Sequence, residues 1–177
     1  QVCDAHGRKG LEAISIARAS GVEKIRCDCL AMSGGWNPSV HLTCHMNGRP
    51  TWRDDIQSFV PTKGAVPGMT VAGACNGTFD TSGCLKAGQD AARAVLKDLG
   101  LKAARSPVPE ADDAPYTLEP LWAVPGKGRA WLDFQNDVKV SDVQLAAQER
   151  FESVEHTKRY TTLGMATDQG KLSNING

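Results

Sequence analysis

Residues 66–100 read VPGMTVAGACNGTFDTSGCLKAGQDAARAVLKDLG, and their order decides the fold. Pro67-Gly68 marks a turn, Met69 to Ala72 has the residue types of a short buried strand, and Gly73-Ala74-Cys75-Asn76-Gly77 is a small-residue turn. A helix pattern then begins near Thr81 to Gly83. It carries Leu85, Ala91, Ala92, Val95, Leu96 and Leu99 on one broad face and stops at Gly100. Strand, glycine turn and helix in that order define an α/β unit, and the alanines allow the helix to pack closely on a sheet. Free N–H groups where the helix starts suit a phosphate or a polar ribose edge, with the hydroxyls of Thr78, Thr81 and Ser82 at hand. Close helix–strand packing demands small residues equally, so the residue types alone fit both readings. No GxGxxG occurs anywhere in the chain, so the pyrophosphate loop of a dinucleotide fold is not in this sequence.

Upstream, LEAISIARASGVEKIRCDCLAM (residues 11–32) contains two β-like runs joined by a hairpin turn at Ala19-Ser20-Gly21. The second run continues into Leu30, Ala31 and Met32, as expected of a strand buried on both faces. It ends at Ser33-Gly34-Gly35-Trp36-Asn37-Pro38, and a glycine turn after a buried strand is where open α/β sheets hold ligands. A polar connector with His41, His45, Asn47, Gly48 and Arg49 leads to the central unit.

Downstream, residues 103–130 hold five prolines and little periodicity, the composition of a linker or an extended strap. Tyr116, Leu118, Leu121 and Trp122 give that strap something to pack with. Trp131 to Val138 reads as a short strand or turn. Ser141-x-x-Gln144 has the form of a capping box opening a helix through about Arg150. Ser153 caps a second short helix, and Thr167 is placed to cap a third element.

The 177-residue chain has 41% hydrophobic and 23% charged residues, with 20 basic and 20 acidic side chains. A zero net charge gives no reason to expect nucleic acid or an anionic membrane as partner, and no apolar run approaches a membrane span. The chain opens on Gln1 in mid-pattern, without a signal peptide, and is expected to be an internal piece of a longer cytoplasmic protein. The six cysteines, at 3, 27, 29, 44, 75 and 84, form no paired CxxC units. Cys27 and Cys29 are expected to be small buried residues; a zinc site drawn from Cys27, Cys29, Cys44 and His45 matches no standard spacing. Cys75 is read as a packing residue. His41 and His45 share a face if helical but lack the glutamate of HExxH, and His156 lies on a solvated helix face.

Three stretches carry a family resemblance: CDCLAMSGGWNPSVHL, VPGMTVAGACNGTFDT, and WLDFQNDVKVSDVQLAAQERFESVEHTKRYTTLGMATDQGKLSN. They resemble the alpha subunits of heterotetrameric sarcosine oxidases over nearly the whole chain. The resemblance implies an oxidoreductase that demethylates sarcosine with oxygen, yields glycine and hydrogen peroxide, and passes the one-carbon unit to tetrahydrofolate. It further implies NAD in the alpha subunit, FAD and FMN in the complete enzyme, and beta, gamma and delta subunits as partners. Within the wider family of two-domain flavoproteins, residues 1 to about 40 look like a β-meander and last strand of an NAD-type subdomain. GMTVAGACNG resembles the final strand and Gly-Asp turn that touches the dinucleotide. By that resemblance Gly73, Ala74, Asn76, Gly77, Phe79 and Thr81 are the NAD-contacting candidates, with Ala74 standing where the acidic residue is usual.

The last stretch resembles the small helical 2Fe–2S domain of bacterioferritin-associated ferredoxin, also found in amine and opine oxidase subunits. Its four cysteine positions fall on Asp133, Gln135, Asp168 and Ser173, and oxygen ligands do not hold such a cluster. No iron–sulfur centre and no metal site are expected. Thr167, Asp168, Gln169 and Lys171 are candidates for a flavin interface. The expected fold is thus α/β: residues 1–100 as the C-terminal part of a two-dinucleotide-binding-domain flavoprotein-like fold, residues 101–128 as a proline-rich linker, and residues 129–177 as a small helical ferredoxin-like module lacking its cysteines. The competing expectations are a purely structural docking module and a subunit of a related opine or amine oxidase.

Overall fold

The computed structural model describes every residue except Arg105, Pro115 and Lys127; these positions of the expected linker lie outside the described residues. The chain divides into two compact units, one formed by Gln1–Met32 with Leu121–Gly177 and the other by Ser33–Pro120.

The first unit opens with an antiparallel meander of β1 (Val2–His6), β2 (Ala13–Arg18) and β3 (Gly21–Arg26). β2 is central and carries the buried apolar residues Ala13 and Ile14, with the polar Ser15 buried beside them. Arg18 pairs with Gly21 across the expected turn, where Gly21 takes φ +120°. Exposed Arg18 and Glu23 pair at 2.9 Å over the hairpin, a contact worth little in water. The second β-like run is shorter than its sequence predicts. β3 stops at Arg26, so Cys27 and Cys29 are in no strand, Cys29 is exposed, and Met32 is 80% exposed. An apolar run becomes a doubly buried strand only when sheet neighbours and covering layers exist. Among the described residues the pairing ends with Cys27 N donating to the Glu12 carbonyl at 3.2 Å, and no strand lies beside residues 28–32.

The rest of this unit is the C-terminal module. β6 (Trp131–Asp133) and β7 (Val138–Lys139) form a hairpin that feeds α3 (Val140–Gln148) and α4 (Val154–Thr161), followed by a turn-rich tail. Asp137 takes φ +55° at the hairpin turn. Leu132, Val138 and Leu163 make the core, with Val140 and Val143 packed on it and Ala146 fully buried. The first helix starts earlier than the Ser141 box implies. Lys139 is the N-cap residue, and its backbone N–H donates to Asp142 Oδ2 at 2.9 Å while its ammonium lies 3.3 Å from Oδ1. A carboxylate at the third helical position that satisfies the cap N–H serves the first turn better than a serine hydroxyl two residues on. Ser153 stands at the N-cap of α4, but its side chain makes no capping bond.

The second unit holds α1 (His41–His45), the hairpin of β4 (Pro50–Arg53) and β5 (Ser58–Pro61), a 3₁₀ turn at Gly73–Asn76, and α2 (Thr81–Asp98). His41 and His45 do share one short helical turn, and both are exposed. The β4–β5 hairpin lies where the sequence reads as a polar connector. Its Asp54-Asp55 turn hides the pairing of Thr51 with Val60 and Trp52 with Phe59, whose rings stack edge-on at 4.9 Å. Met69–Ala72 is half-buried to exposed coil and not a strand. α2 runs as its pattern predicts, yet no residue of it is fully buried, and Leu85, Val95 and Leu99 are 38%, 41% and 67% exposed. Its start packs against the 3₁₀ turn; no sheet lies under it among the described residues.

Candidate functional site

The candidate turn is built by three local decisions. Gly73 takes φ +66° and opens the 3₁₀ turn; a Cβ there would rest 3.5 Å from Cys84 Sγ on the first turn of α2. Gly77 closes the turn at φ +76°, a conformation that costs a side-chain-bearing residue about 1 kcal/mol. Gly77 is buried, and a Cβ on it would meet Ile56 Cδ1 at 2.6 Å, Arg53 Nη1 at 2.8 Å and Val60 Cγ1 at 3.1 Å. Between the two glycines, Ala74 and Asn76 face solvent. Cys75 is half-buried and donates to the Ser39 carbonyl at 3.1 Å, in keeping with a packing role.

The start of α2 corrects the expectation of free N–H donors. Thr81 N and Ser82 N donate to Asp113 Oδ1 and Oδ2 at 2.8 and 2.7 Å, and Gly83 N donates to Asp80 Oδ1 at 2.6 Å. Ser82 Oγ also donates to the Ala111 carbonyl at 3.2 Å. The Ser82 hydroxyl and the backbone N–H groups of Ser82 and Thr81 hold the Asp113 carboxyl down to about 2. An acidic residue of the proline-rich strap therefore occupies the anion position at this helix end. Phe79 is half-buried under the same strap, its ring centroid 5.0 Å from that of Tyr116. The turn thus leaves Ala74 and Asn76 open to a ligand, while the N–H groups of Thr81 and Ser82 at the start of α2 are taken and not offered to a phosphate. A hollow of ≈ 330 Å³ in this unit lies elsewhere, between residues 64–70 and Val95, Asp98 and Leu99.

In the C-terminal module the β6–β7 hairpin and the loop after α4 are brought together by oxygen chemistry. Asp133 is 3% exposed. Its Oδ1 accepts from Gln135 N and Asn136 N at 2.9 and 3.1 Å, and its Oδ2 from Gly164 N at 2.9 Å. Burial pushes this carboxyl up, but the three N–H groups outweigh it and hold Asp133 below the ordinary carboxylate range. Ser173 is 2% exposed and has no partner at hydrogen-bonding geometry among the described residues. Thr167 Oγ1 donates to Gln135 Oε1 at 2.9 Å, and Asp168 accepts from Gly170 N and Leu172 N, both at 3.2 Å. The Asn174 side chain fills the hollow between Gly164 and Gly170; a Cβ on either glycine would overlap it. Thr167, Gln169 and Lys171 are exposed, as are Phe134 (78%), Met165 (58%) and Leu172 (77%). No group of three or more His, Cys, Asp or Glu with metal-binding geometry occurs among the described residues.

Two residues that sequence reasoning passed over shape the turn. Arg53 reaches it from β4, donating from Nη1 to the Asn76 and Gly77 carbonyls at 3.2 and 3.3 Å. Asp113 reaches α2 from the strap. The Asp112-Asp113 pair among prolines is a cap signal in hindsight, but a cap so distant in sequence from its helix leaves no local spacing to detect.

The class to which these features belong is given by comparison with known proteins. Residues 127–177 match the family described as the Sarcosine oxidase A3 domain. Over 99% of its length the chain is 42% identical to sarcosine oxidase subunit alpha of Rhizobium meliloti (strain 1021), spanning 18% of that protein. It is 37% identical, over 86% of its length and 16% of the relative's, to the corresponding subunit of Corynebacterium sp. (strain P-1). The chain is a relative of the sarcosine oxidase alpha subunits, and corresponds to less than one fifth of their length. In three dimensions it resembles a crystal structure of L-proline dehydrogenase from P. horikoshii, with a TM-score of 0.64 over 99% of this chain and 37% of that one, at 16% identity. That likeness concerns the fold, a mixed α/β arrangement. Among the described residues no helix is long and apolar enough to cross a membrane.

Proposed function

We propose that this chain is the part of a sarcosine oxidase alpha subunit that helps hold NAD and scaffolds the subunit interface. The whole enzyme in this reading demethylates sarcosine oxidatively, releases glycine and hydrogen peroxide, and passes the one-carbon unit to tetrahydrofolate. FAD and FMN serve it, and beta, gamma and delta subunits assemble with the alpha subunit. Residues 1–100 supply the end of the dinucleotide domain, residues 101–128 the strap, and residues 129–177 the cysteine-less module, in a cytoplasmic enzyme.

The observation that carries the NAD assignment is the solvent-open pair Ala74 and Asn76, raised between two glycines of positive φ. Gly73 and Gly77 shape the turn, Ala74 and Asn76 receive the ligand, and Phe79 and Thr81 bound it on the helix side. Alanine in place of an acidic residue suits a site that holds the dinucleotide without flavin chemistry. When bound, NAD supplies a hydride-carrying nicotinamide. The test is Ala74→Trp in the complete enzyme, with bound NAD extracted and quantified. Loss of most of the NAD is expected; unchanged NAD content overturns the assignment.

A second reading, a docking module that touches no ligand, is favoured by one observation: Asp113 already satisfies the N–H groups of Thr81 and Ser82. It predicts that Ala74→Trp is silent. Both readings accommodate a subunit or flavin interface around Thr167, Asp168, Gln169 and Lys171, where exposed Phe134, Met165 and Leu172 provide apolar area in the same module.

A further inference from the structure

Arg53 lies on the face of the β4–β5 hairpin that looks at the candidate turn. Strand alternation puts Thr51 and Arg53 on one face with their partners Val60 and Ser58, while Trp52 and Phe59 stack on the other. Ser58 and Val60 are buried, whereas Phe59 is 40% exposed. On the buried face, Ile56, Val60 and Arg53 Nη1 form the seat in which Gly77 rests. The guanidinium is itself oriented: Asp55 accepts from Nε at 3.0 Å and from Nη2 in a fork. With that edge fixed, Nη1 is left to donate to the carbonyls of Asn76 and Gly77. These carbonyls end a 3₁₀ turn and have no partner within it. Fixing both oxygens fixes the peptide planes on either side of Gly77, and with them the direction in which Asn76 and Ala74 project.

We propose that Arg53 is a positioning residue for the dinucleotide-binding turn, and that the β4–β5 hairpin sets the turn's geometry through it. The inference rests on the proposed NAD site at Ala74 and Asn76. A planar fork is required, because a lysine ammonium can reach the two carbonyls but cannot at the same time be held flat by Asp55.

The test uses the complete enzyme, with NAD removed and its rebinding measured by equilibrium dialysis for wild type, Ala74→Trp, Arg53→Ala and Arg53→Lys. Thermal unfolding is followed in parallel. Arg53→Ala is expected to raise the Kd for NAD about tenfold, the effect of losing charge-assisted bonds that fix a site. Arg53→Lys is expected to fall between, about threefold, because one donor to the turn is restored. An Arg53→Ala enzyme that melts earlier yet binds NAD within about twofold of wild type overturns the inference and leaves Arg53 a merely structural residue. Should Arg53→Ala not assemble, Arg53→Lys decides by the same criterion. If Ala74→Trp leaves NAD binding intact, the NAD site itself is wrong, an outcome distinct from wild-type affinity in the Arg53 variants alone.

Discussion

The Asp133 carboxylate accepts the Gly164 amide at 2.9 Å and so ties the β6–β7 hairpin to the loop that follows α4. The two residues are far apart in sequence, and the carboxylate joining them is almost wholly out of water. Its other oxygen takes the amides of Gln135 and Asn136, so one side chain closes both segments around Leu132, Val138 and Leu163. Replacing it with asparagine keeps the shape but turns an amide NH₂ toward a donor. Asp133→Asn should destabilise the chain by about 2–3 kcal/mol in urea unfolding, the cost of a buried donor left facing another donor. A loss below about 0.5 kcal/mol would mean that water relieves the Gly164 amide.

The strap contact at α2 has a pH signature. The Asp113 carboxyl is held at about 2, below the ordinary 3.8. A depressed carboxylate stabilises fully above its unfolded value, and that stabilisation is lost as pH falls through its folded value. The difference in thermal midpoint between wild type and Asp113→Asn should therefore be constant at neutral pH, shrink from about pH 4 and be mostly lost by about pH 2. A difference as large at pH 2 as at neutral pH would locate the effect in something other than the carboxylate charge.

The ligand chemistry of the C-terminal module predicts a negative result under demanding conditions. Asp133, Gln135, Asp168 and Ser173 are oxygen donors, and the first and third are already engaged with backbone amides. Iron–sulfur clusters are held by thiolates. After anaerobic incubation with ferrous iron and sulfide, followed by desalting, the chain should show neither visible charge-transfer absorption nor stoichiometric iron. Stoichiometric acid-labile sulfide would show that the remaining cysteines assemble a site.

How much of this was legible in the sequence depends on range. The hairpin turn at Ala19-Ser20-Gly21, the span of α2 and the strand–turn character of residues 131–138 follow from neighbouring residues alone, and each is there in the structure. The extension of β3 to Met32 and the strand at Met69–Ala72 do not form, because an apolar run becomes a strand only with partners that the run itself does not specify. The β4–β5 hairpin escaped because Asp54 and Asp55 gave its tip the composition of a connector. At the turn, the glycines were readable from residue type. Arg53 and Asp113 were not, since each acts on a segment more than twenty residues away. Polar contacts of that range leave no periodic trace in a single sequence.

Gly77 offers the sharpest separation of backbone from side-chain requirements. At φ +76° an alanine is strained, and its methyl would enter the space held by Ile56, Val60 and the Arg53 guanidinium. Ile56 and Val60 are each 6% exposed and have little room to retreat. The left-handed conformation and the overpacking together should cost roughly 2–4 kcal/mol. Gly64, in contrast, has nearly the same φ, +72°, but nothing within 4 Å of where a Cβ would stand, so Gly64→Ala bears only the conformational part, about 1 kcal/mol. Urea unfolding of the two variants side by side measures the difference. Equal losses would mean that the hairpin yields to the methyl group and does not hold the turn. A markedly larger loss at Gly77 is the outcome expected if the β4–β5 hairpin is a rigid seat.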